Sequence, residues 1–199
     1  MDIGTAMGAG WSSGISMYGV VALLGVAGRF EWVETPSFIE QWWVIAGAVV
    51  LFLVEFAIDK IALVDSVWDG VHTFIRPAVG GYLMTTAVDT SWSVPALAVS
   101  GVLLALSSHS AKASTRLAVN SSPEPASNVA VSAGEDGLVA AVMALAIARP
   151  ELAAIVVVLL TVASLVVTVV LYRVARRLGR KLRSGAGTTR RGGRSRHAP

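Results

Sequence analysis

VEFAIDKIALVDSVWDGVHTFIRP, residues 54–77, is the stretch that decides the fold, because it places ionisable side chains within an otherwise apolar chain. A helix advances by about 100° per residue, so side chains at i, i+4, i+7 and i+11 share one stripe. Four polar residues have this spacing: Asp65, Asp69, His72 and Arg76. Glu55 and Asp59 begin a similar stripe one element earlier. Ionisable groups in a segment suited to lipid are costly, and they mark a functional site by default.

The composition around this stretch indicates a membrane protein. Mean hydropathy is +0.67 and 54% of residues are hydrophobic. Only 15% of residues are charged, whereas soluble domains carry about 25%. Apolar runs long enough to cross a bilayer recur along the chain. We therefore predict an all-α integral membrane protein with one helical transmembrane domain, residues 1–172.

Basic side chains are concentrated at the C-terminal end. Ten of the sixteen Lys and Arg residues lie within residues 173–199, whereas all thirteen carboxylates lie within residues 1–151. A basic segment after the last span is typical of the cytoplasmic side and of contact with anionic lipid headgroups, here through Arg173–Arg196. Its Gly, Ser, Thr and Arg content predicts a disordered tail. No aromatic residue is interleaved, so we expect no nucleic-acid binding.

Six transmembrane helices are predicted from the apolar runs. These runs are Trp11–Ala27, Val44–Val64, Val71–Val88, Ala96–Leu106, Gly137–Ala148 and Glu151–Tyr172. Pro77 should kink or break the third helix, because proline lacks an amide donor. The fourth run is short, so its helix tilts, ends early or continues with polar residues inside the protein. Small residues in the first helix favour close packing and would suit a homo-oligomer.

Six spans also predict an orientation. Lys60, Lys112, Arg116 and the ten cations of the tail then face the cytoplasm, and only Arg29 and Arg149 face outside. Because cytoplasmic loops are enriched in Lys and Arg, this distribution predicts that the N and C termini are both cytoplasmic. The abundance of Ala, Val, Gly and Arg indicates a bacterial source, and hence the inner (plasma) membrane of the cell.

A second polar block, residues 109–136, is similar to the first. Val102–Lys112 aligns with Val50–Lys60 without gaps at an offset of 52 residues, and each apolar run ends at a lysine. One helical stripe again carries four polar side chains: His109, Lys112, Arg116 and Asn120. Two explanations remain open. The chain has a two-fold internal repeat, as in transporters whose sites lie at a repeat interface, or the apolar runs align by chance.

The two blocks differ in the sign of their charge. Carboxylates outnumber cations in the first block. Between His109 and Asn128 in the second, Lys112 and Arg116 outnumber Glu124. An unpaired charge in a low dielectric is strongly unfavourable, so opposite charges that leave water need one another. We therefore predict that the two blocks meet in the interior of the bundle.

Both blocks carry a resemblance to a known family. VEFAIDKIALVDSVWDGVHTFIRP and HSAKASTRLAVNSSPEPASN, within residues 4–172, resemble the multipass membrane family catalogued as domain of unknown function 4126. The resemblance implies a membrane location and an uncharacterised role. In the first string it points to Glu55, Asp59, Lys60, Asp65, Ser66, Trp68, Asp69, His72, Arg76 and Pro77. In the second it points to His109, Lys112, Arg116, Asn120, Ser122, Pro123, Glu124, Pro125 and Asn128, followed by Glu135 and Asp136.

The first block has a structural and a functional interpretation. Its stripe is either a solvated helix start, capped by Asp65, or a polar path inside the bundle. Glu55 follows the interfacial Trp43 by twelve residues, which places it near mid-membrane. A carboxyl group at that depth is protonated, paired with a cation or bound to an ion.

The second block also leaves alternatives open. Pro123 and Pro125 exclude a continuous helix, so the segment is either a plain loop or an unwound stretch that lines a cavity. Lys112 and Arg116 either hold an anion such as phosphate or serve only to orient the chain in the membrane.

Several classes of chemistry are excluded or disfavoured by the sequence. The chain has no cysteine, which excludes disulfides and thiolate catalysis, and three histidines argue against a conventional metal cage. No GxSxG, HExxH or glycine-rich phosphate loop is present, so we predict neither an enzyme nor a cofactor.

The leading functional prediction is a small transporter or channel for an ion or small polar solute. His72 has an ordinary pKa near physiological pH, so coupling to protons is included in this prediction. The alternative is a non-transporting membrane protein that binds anionic lipid or scaffolds a partner. A buried charge network predicts the first function, whereas solvated polar blocks predict the second.

Overall fold

The chain folds into a bundle of helices. A computed structural model describes the backbone of residues 1–87, 91–120 and 125–191, and the side chains of these except residues 62–63, 120, 125, 178–179 and 181–191. Six helices are present in these ranges: α1 Ile3–Arg29, α2 Trp42–Ile58, α3 Ala62–Thr85, α4 Val94–Asn120, α5 Pro125–Ala148 and α6 Pro150–Arg191. The described ranges contain no strand. The predicted all-α class is confirmed.

The first helix, α1, lies at the centre of the bundle and contacts each of the other five helices. Its glycines and serines allow these close approaches, because small residues let helix backbones come together. Gly8 faces Ala146 of α5, and Gly10 faces Gly80 of α3 and Gly101 of α4. The small-residue face is therefore used within the chain, and the homo-oligomer stays a prediction.

The α1 helix is interrupted at Ser16, whose backbone is non-helical (φ −144°, ψ 87°). The segment before Ser16 packs on α3, α4 and α5, as the glycine contacts show. The segment after Ser16 forms a hairpin with α2, since Gly19 faces Phe52 and Gly25 faces Ile45. Two helical segments with different neighbours thus meet at Ser16.

The boundaries between α2, α3 and α4 differ from those predicted. The second helix ends at Ile58 and α3 begins at Ala62, so the predicted continuation to Val64 is wrong and the whole Asp65–Arg76 stripe lies on α3. Pro77 lies inside α3, which continues to Thr85. The fourth helix continues into the second polar block and ends at Asn120, which is the third of the alternatives considered for it.

The helix boundaries do not reproduce the proposed two-fold repeat. The chain is non-helical at residues 59–61, and the offset of 52 relates this break to residues 111–113, which lie inside α4. The repeat therefore stays a prediction. Ser121 to Glu124, which precede α5, lie outside the described residues.

Four described helices are long and apolar enough to cross a membrane: α1, and the parts of α4, α5 and α6 at Val94–Val119, Ala126–Ala148 and Pro150–Arg177. The α2 helix is apolar but shorter. The α3 helix does not qualify by composition, yet its outward face is apolar, with Val67, Val71 and Phe74 exposed. Its polar stripe faces the bundle interior. The mean hydropathy of α3 is therefore low although its outer surface is apolar and suited to lipid. The protein is membrane-embedded, and the count of six spans stays a prediction.

The first helix begins at the end of the bundle where α5 ends and α6 starts. The hydroxyl of Thr5 donates to the carbonyl of Ala146 at 2.8 Å, so α1 begins where α5 ends. The α6 helix starts there and passes Lys112 at about Ala163, parallel to α4. The predicted cytoplasmic location of both termini stays a prediction. Six helices need not make six crossings, because α1 is interrupted and α2, with 17 residues, is only about 26 Å long.

The last helix extends beyond the predicted end of the membrane domain at Tyr172. Its backbone is helical to Arg191, and the sequence offers no proline between Pro150 and Pro199 to stop it. Residues 192–199 lie outside the described part of the chain, and for them the disordered tail stays a prediction.

The glycine packing generates a first prediction. A Cβ atom on Gly80 would lie 2.7 Å from the Cβ of Ala105 and 3.0 Å from the carbonyl oxygen of Gly101. We expect Gly80→Ala to destabilise the bundle by about 1–3 kcal/mol, because overpacking forces helices apart. Thermal unfolding in detergent measures the effect. Gly137→Ala is the matched control, since nothing lies within 4 Å of its added Cβ; equal melting temperatures for the two variants would contradict the packing argument.

Candidate functional site

Polar side chains converge in the bundle interior near the interruption of α1. Ten of the thirteen residues predicted for the site are buried: Glu55, Asp59, Asp65, Asp69, His72, Arg76, His109, Lys112, Arg116 and Asn128. They come from α2, α3, α4 and α5 and from the turn after α2. We call them, with their hydrogen-bonded neighbours, the buried charge network. The predicted meeting of the two polar blocks is confirmed.

One half of the network is centred on Arg76, whose side chain is fully buried. Its Nη2 donates to Oε1 of Glu55 at 2.5 Å, and its Nη1 donates to Oδ1 of Asp69 at 2.8 Å. One guanidinium thus binds carboxylates from α2 and from its own helix. Charge-assisted bonds of this kind are stronger than neutral ones, and they fix the geometry of both partners.

His109 connects this centre to α4. Nδ1 of His109 lies 3.0 Å from Nη1 of Arg76, and Nε2 lies 3.0 Å from Oγ1 of Thr73. Arginine only donates, so Nδ1 is the acceptor and Nε2 carries the proton of a neutral imidazole. The Nε2–H group then donates to Thr73, whose own hydroxyl donates to the carbonyl of Asp69 at 2.9 Å. The chain of bonds is consistent with one tautomer throughout.

The other half of the network is centred on Asp59, in the turn after α2. Its Oδ2 accepts from Nζ of Lys112 at 2.8 Å and from Nη2 of Arg116 at 3.1 Å. Arg116 also donates to the backbone carbonyl of Asp59 at 2.7 Å, so the turn itself is held by α4. Glu135 of α5 accepts from Nη2 and Nε of Arg116 at 2.6 and 3.1 Å. Asn128 accepts from Nη1 of Arg116 at 3.2 Å.

Both halves of the network engage the interruption of α1. The hydroxyl of Ser16 donates to Oε2 of Glu55 at 2.8 Å. Nζ of Lys112 donates to the carbonyl of Ile15 at 3.1 Å. A helix interruption frees backbone groups that lipid cannot satisfy, so they require partners from the protein. The charge network provides such a partner here, and the two features depend on each other.

His72 lies at the edge of the network. Its Nδ1 is 2.8 Å from the carbonyl of Trp68, and its Nε2 is 3.1 Å from the hydroxyl of Tyr18 in α1. Its ring also packs against Trp68, with centroids 4.4 Å apart. The predicted role of His72 in proton relay has no direct contact to Arg76 or Asp69 among the described hydrogen bonds, and it stays a prediction.

Three predicted site residues stand apart from the network. Lys60 donates to the carbonyl of Phe56 at 2.7 Å and covers the Phe56 ring, away from the interior. Glu124 and the side chain of Asn120 lie outside the described residues.

Several contributors were missing from the predicted site. Ser16, Tyr18 and Thr73 take part through hydroxyl groups, which carry no charge to distinguish them in a sequence. Glu135, to which the family resemblance already points, follows Asn128 by seven residues, so the two share a helix face. Asp65 is also buried and interacts electrostatically with Arg116.

Two clefts border the network on different sides. One, of about 180 Å³, opens between α3 and α4, and Asp69, Thr73 and Arg116 are among its lining residues. Another, of about 340 Å³, lies among α1, α4, α5 and α6 and reaches Lys112 and Glu135. Within the described residues, no three His, Asp or Glu side chains are grouped so that they could hold a metal ion.

The ion pairs generate a second prediction. Arg116→Met would leave Asp59 and Glu135 without their shared partner in a buried setting. We expect a loss of stability of about 3–5 kcal/mol, because removing one partner leaves an uncompensated buried charge. Thermal unfolding in detergent detects it. Adding Glu135→Gln should recover part of the loss, whereas Arg149→Met, at an exposed arginine, should change little. A loss for Arg149→Met as large as that for Arg116→Met would contradict the pairing.

Comparison with known proteins identifies the family and no closer relative. No curated protein and no solved structure matches the chain. The family model described as Domain of unknown function (DUF4126) matches residues 3–170. The match covers both polar blocks and all six helices, with α6 up to residue 170, and it confirms the resemblance inferred from the two sequence strings. The chain therefore belongs to the DUF4126 family.

Proposed function

We propose that this protein is a small transporter or channel for an ion or small polar solute, coupled to protons. The observation that carries the proposal is the buried charge network. Ionised groups inside a membrane protein are expensive, and where they occur they line solute or ion pathways and proton relays. A structural role alone would be served as well by apolar residues, since buried ion pairs add little net stability.

The helix interruptions support the same function. The α1 helix is broken at Ser16 and the chain is non-helical between α2 and α3, and both breaks contact the network through Glu55, Asp59 and Lys112. Irregular backbone at membrane depth is tolerated where it is enclosed by protein or lines a cavity. In many secondary transporters, broken helices of this kind form the binding site for the substrate or the coupling ion.

The orientation that fits the proposal has the C-terminal end of α6 in the cytoplasm of a bacterial cell, with the protein in the plasma membrane. The turn at Asp59–Ile61 and the end of α4 then lie toward the same side as the tail. This arrangement places Lys60, in that turn, toward the cytoplasmic side, in agreement with the enrichment of cations there.

The rival function, a scaffold or lipid-binding protein that acts through its tail, leaves the network unexplained. It requires polar blocks exposed to water, whereas Glu55, Asp59 and Arg76 are at most 2% exposed. Contact of Arg173–Arg196 with anionic lipid remains compatible with transport, because a basic tail also anchors the topology.

The third prediction concerns proton flux. Purified protein in vesicles loaded with a pH-sensitive dye, under a potassium diffusion potential, should acidify the lumen faster than empty vesicles do. Glu55→Gln should lower the rate by about tenfold, which corresponds to about 1.4 kcal/mol in the barrier. The reason is that Glu55 is the carboxylate that joins Arg76 to the interruption of α1.

Glu151→Gln is the control variant, because Glu151 is exposed at the start of α6 and should retain the wild-type rate. Size-exclusion chromatography of each variant verifies folding before reconstitution. Equal rates for wild-type and empty vesicles at either sign of the potential would overturn the proposal.

A further inference from the structure

The buried charge network carries more negative than positive charge. Its described carboxylates are Glu55, Asp59, Asp65, Asp69 and Glu135, and its described cations are Arg76, Lys112 and Arg116. Five carboxylates against three cations leave an excess of two negative charges when both histidines are neutral. Excess charge in a low dielectric is compensated by a bound proton or another cation.

The cationic side chains have little capacity left for a ligand. Arg116 donates through all three of its nitrogens, to Asp59, Asn128 and Glu135. Lys112 donates to Ile15 and Asp59. Only Nε of Arg76 lacks a partner within the described part of the chain, and that guanidinium already binds two carboxylates. An anion needs several free donors, so Lys112 and Arg116 do not form the anion site considered from the sequence.

The acceptors, in contrast, are not saturated. Oδ2 of Asp69 and Oδ1 of Asp59 have no hydrogen-bond partner in the described ranges, although both residues are at least 95% buried. A buried carboxylate oxygen without a hydrogen-bond donor is strongly unfavourable unless a proton or another cation binds it. Asp69 also lines the cleft of about 180 Å³ between α3 and α4, together with Ser66 and Thr73.

We propose that this cleft is a binding site for a small monovalent cation, with the carboxylate of Asp69 as its principal ligand. Ser66 and Thr73 line the same cleft and add oxygen atoms, the donor type that hard cations prefer. A proton on Asp69 satisfies the same charge requirement as an alkali ion. The role of the site in transport rests on the proposed function, but binding itself is measured without flux.

Charged and titratable groups surround Asp69 from each neighbouring helix. Arg76 lies on the same helix, Glu55 on α2 is joined through Arg76, and His109 and Arg116 lie on α4. Tyr18 of α1 reaches His72, one turn along α3. Because Arg76 is bound by Asp69 and Glu55 together, a cation on Asp69 would weaken its hold on Arg76 and leave Glu55 as the stronger partner.

The test is thermal unfolding of the full chain in nanodiscs of neutral phosphatidylcholine, which removes lipid charge as a variable. Sodium, potassium and choline chloride are compared at constant ionic strength, and then sodium chloride with sodium phosphate. A pH series in choline chloride follows. We expect the melting temperature to rise by at least about 2 °C with sodium or potassium, or with decreasing pH in choline. In the pH series the melting temperature should fall as pH rises, because a folded state that binds more protons than the unfolded state loses stability as pH rises.

The salt comparison and the pH series together identify the cation. A response to sodium or potassium, lost in Asp69→Asn and retained in Glu151→Gln, establishes an alkali-ion site. A response to pH alone, with the same dependence on the two variants, establishes a proton site. The inference is overturned if the melting temperature depends on phosphate at fixed sodium concentration, or if it depends on neither the cation nor the pH. It is also overturned if the melting temperature of Asp69→Asn responds to cations and pH as that of the wild type does. The comparison of salts on the wild-type chain needs no variant, so a poorly folded Asp69→Asn leaves the test intact.

Discussion

The structure depends on the requirement that charges buried in the bundle find their partners within the protein. Arg76 and Arg116 each bind two carboxylates that come from different parts of the chain. Since neither water nor lipid replaces these partners in the interior, α2, α3, α4 and α5 must meet in one relative arrangement. Glycine and serine on α1 make that meeting sterically feasible, and the α1 interruption supplies the backbone and hydroxyl groups that complete it.

Much of this could be read from the sequence, and the reason is chemical. Ionisable residues are rare in lipid-exposed segments, so the stripes at Asp65–Arg76 and His109–Arg116 indicated a buried network and the helices that carry it. The opposite signs of the two blocks indicated that they would meet. The sequence did not indicate which carboxylate pairs with which cation. Asp59 binds two cations, and Asp69 binds Arg76 on its own helix. Which acceptor lies near which donor depends on helix rotation and crossing, and a sequence does not determine these without contacts.

Hydropathy was a weaker guide where a helix has two unlike faces. The α3 helix buries His72 and Arg76 while Phe74 is 83% exposed, so an average over its length describes neither side. The interruption at Ser16 had no sequence signal, because a serine among glycines suits a continuous helix as well as a broken one. The count of apolar runs nevertheless gave the number of helices in the described ranges correctly.

The central position of α1 has a consequence for biosynthesis. The α1 helix is synthesised before the five helices that enclose it. Its Gly- and Ser-rich surface therefore has no packing partners until those helices follow. Helices insert individually and associate afterwards. The packing of α1 is therefore complete only after α6 has been synthesised. A chain truncated after α5 would lack Pro150, which packs against Gly4 at the start of α1, and would leave open the cleft that reaches Lys112 and Glu135.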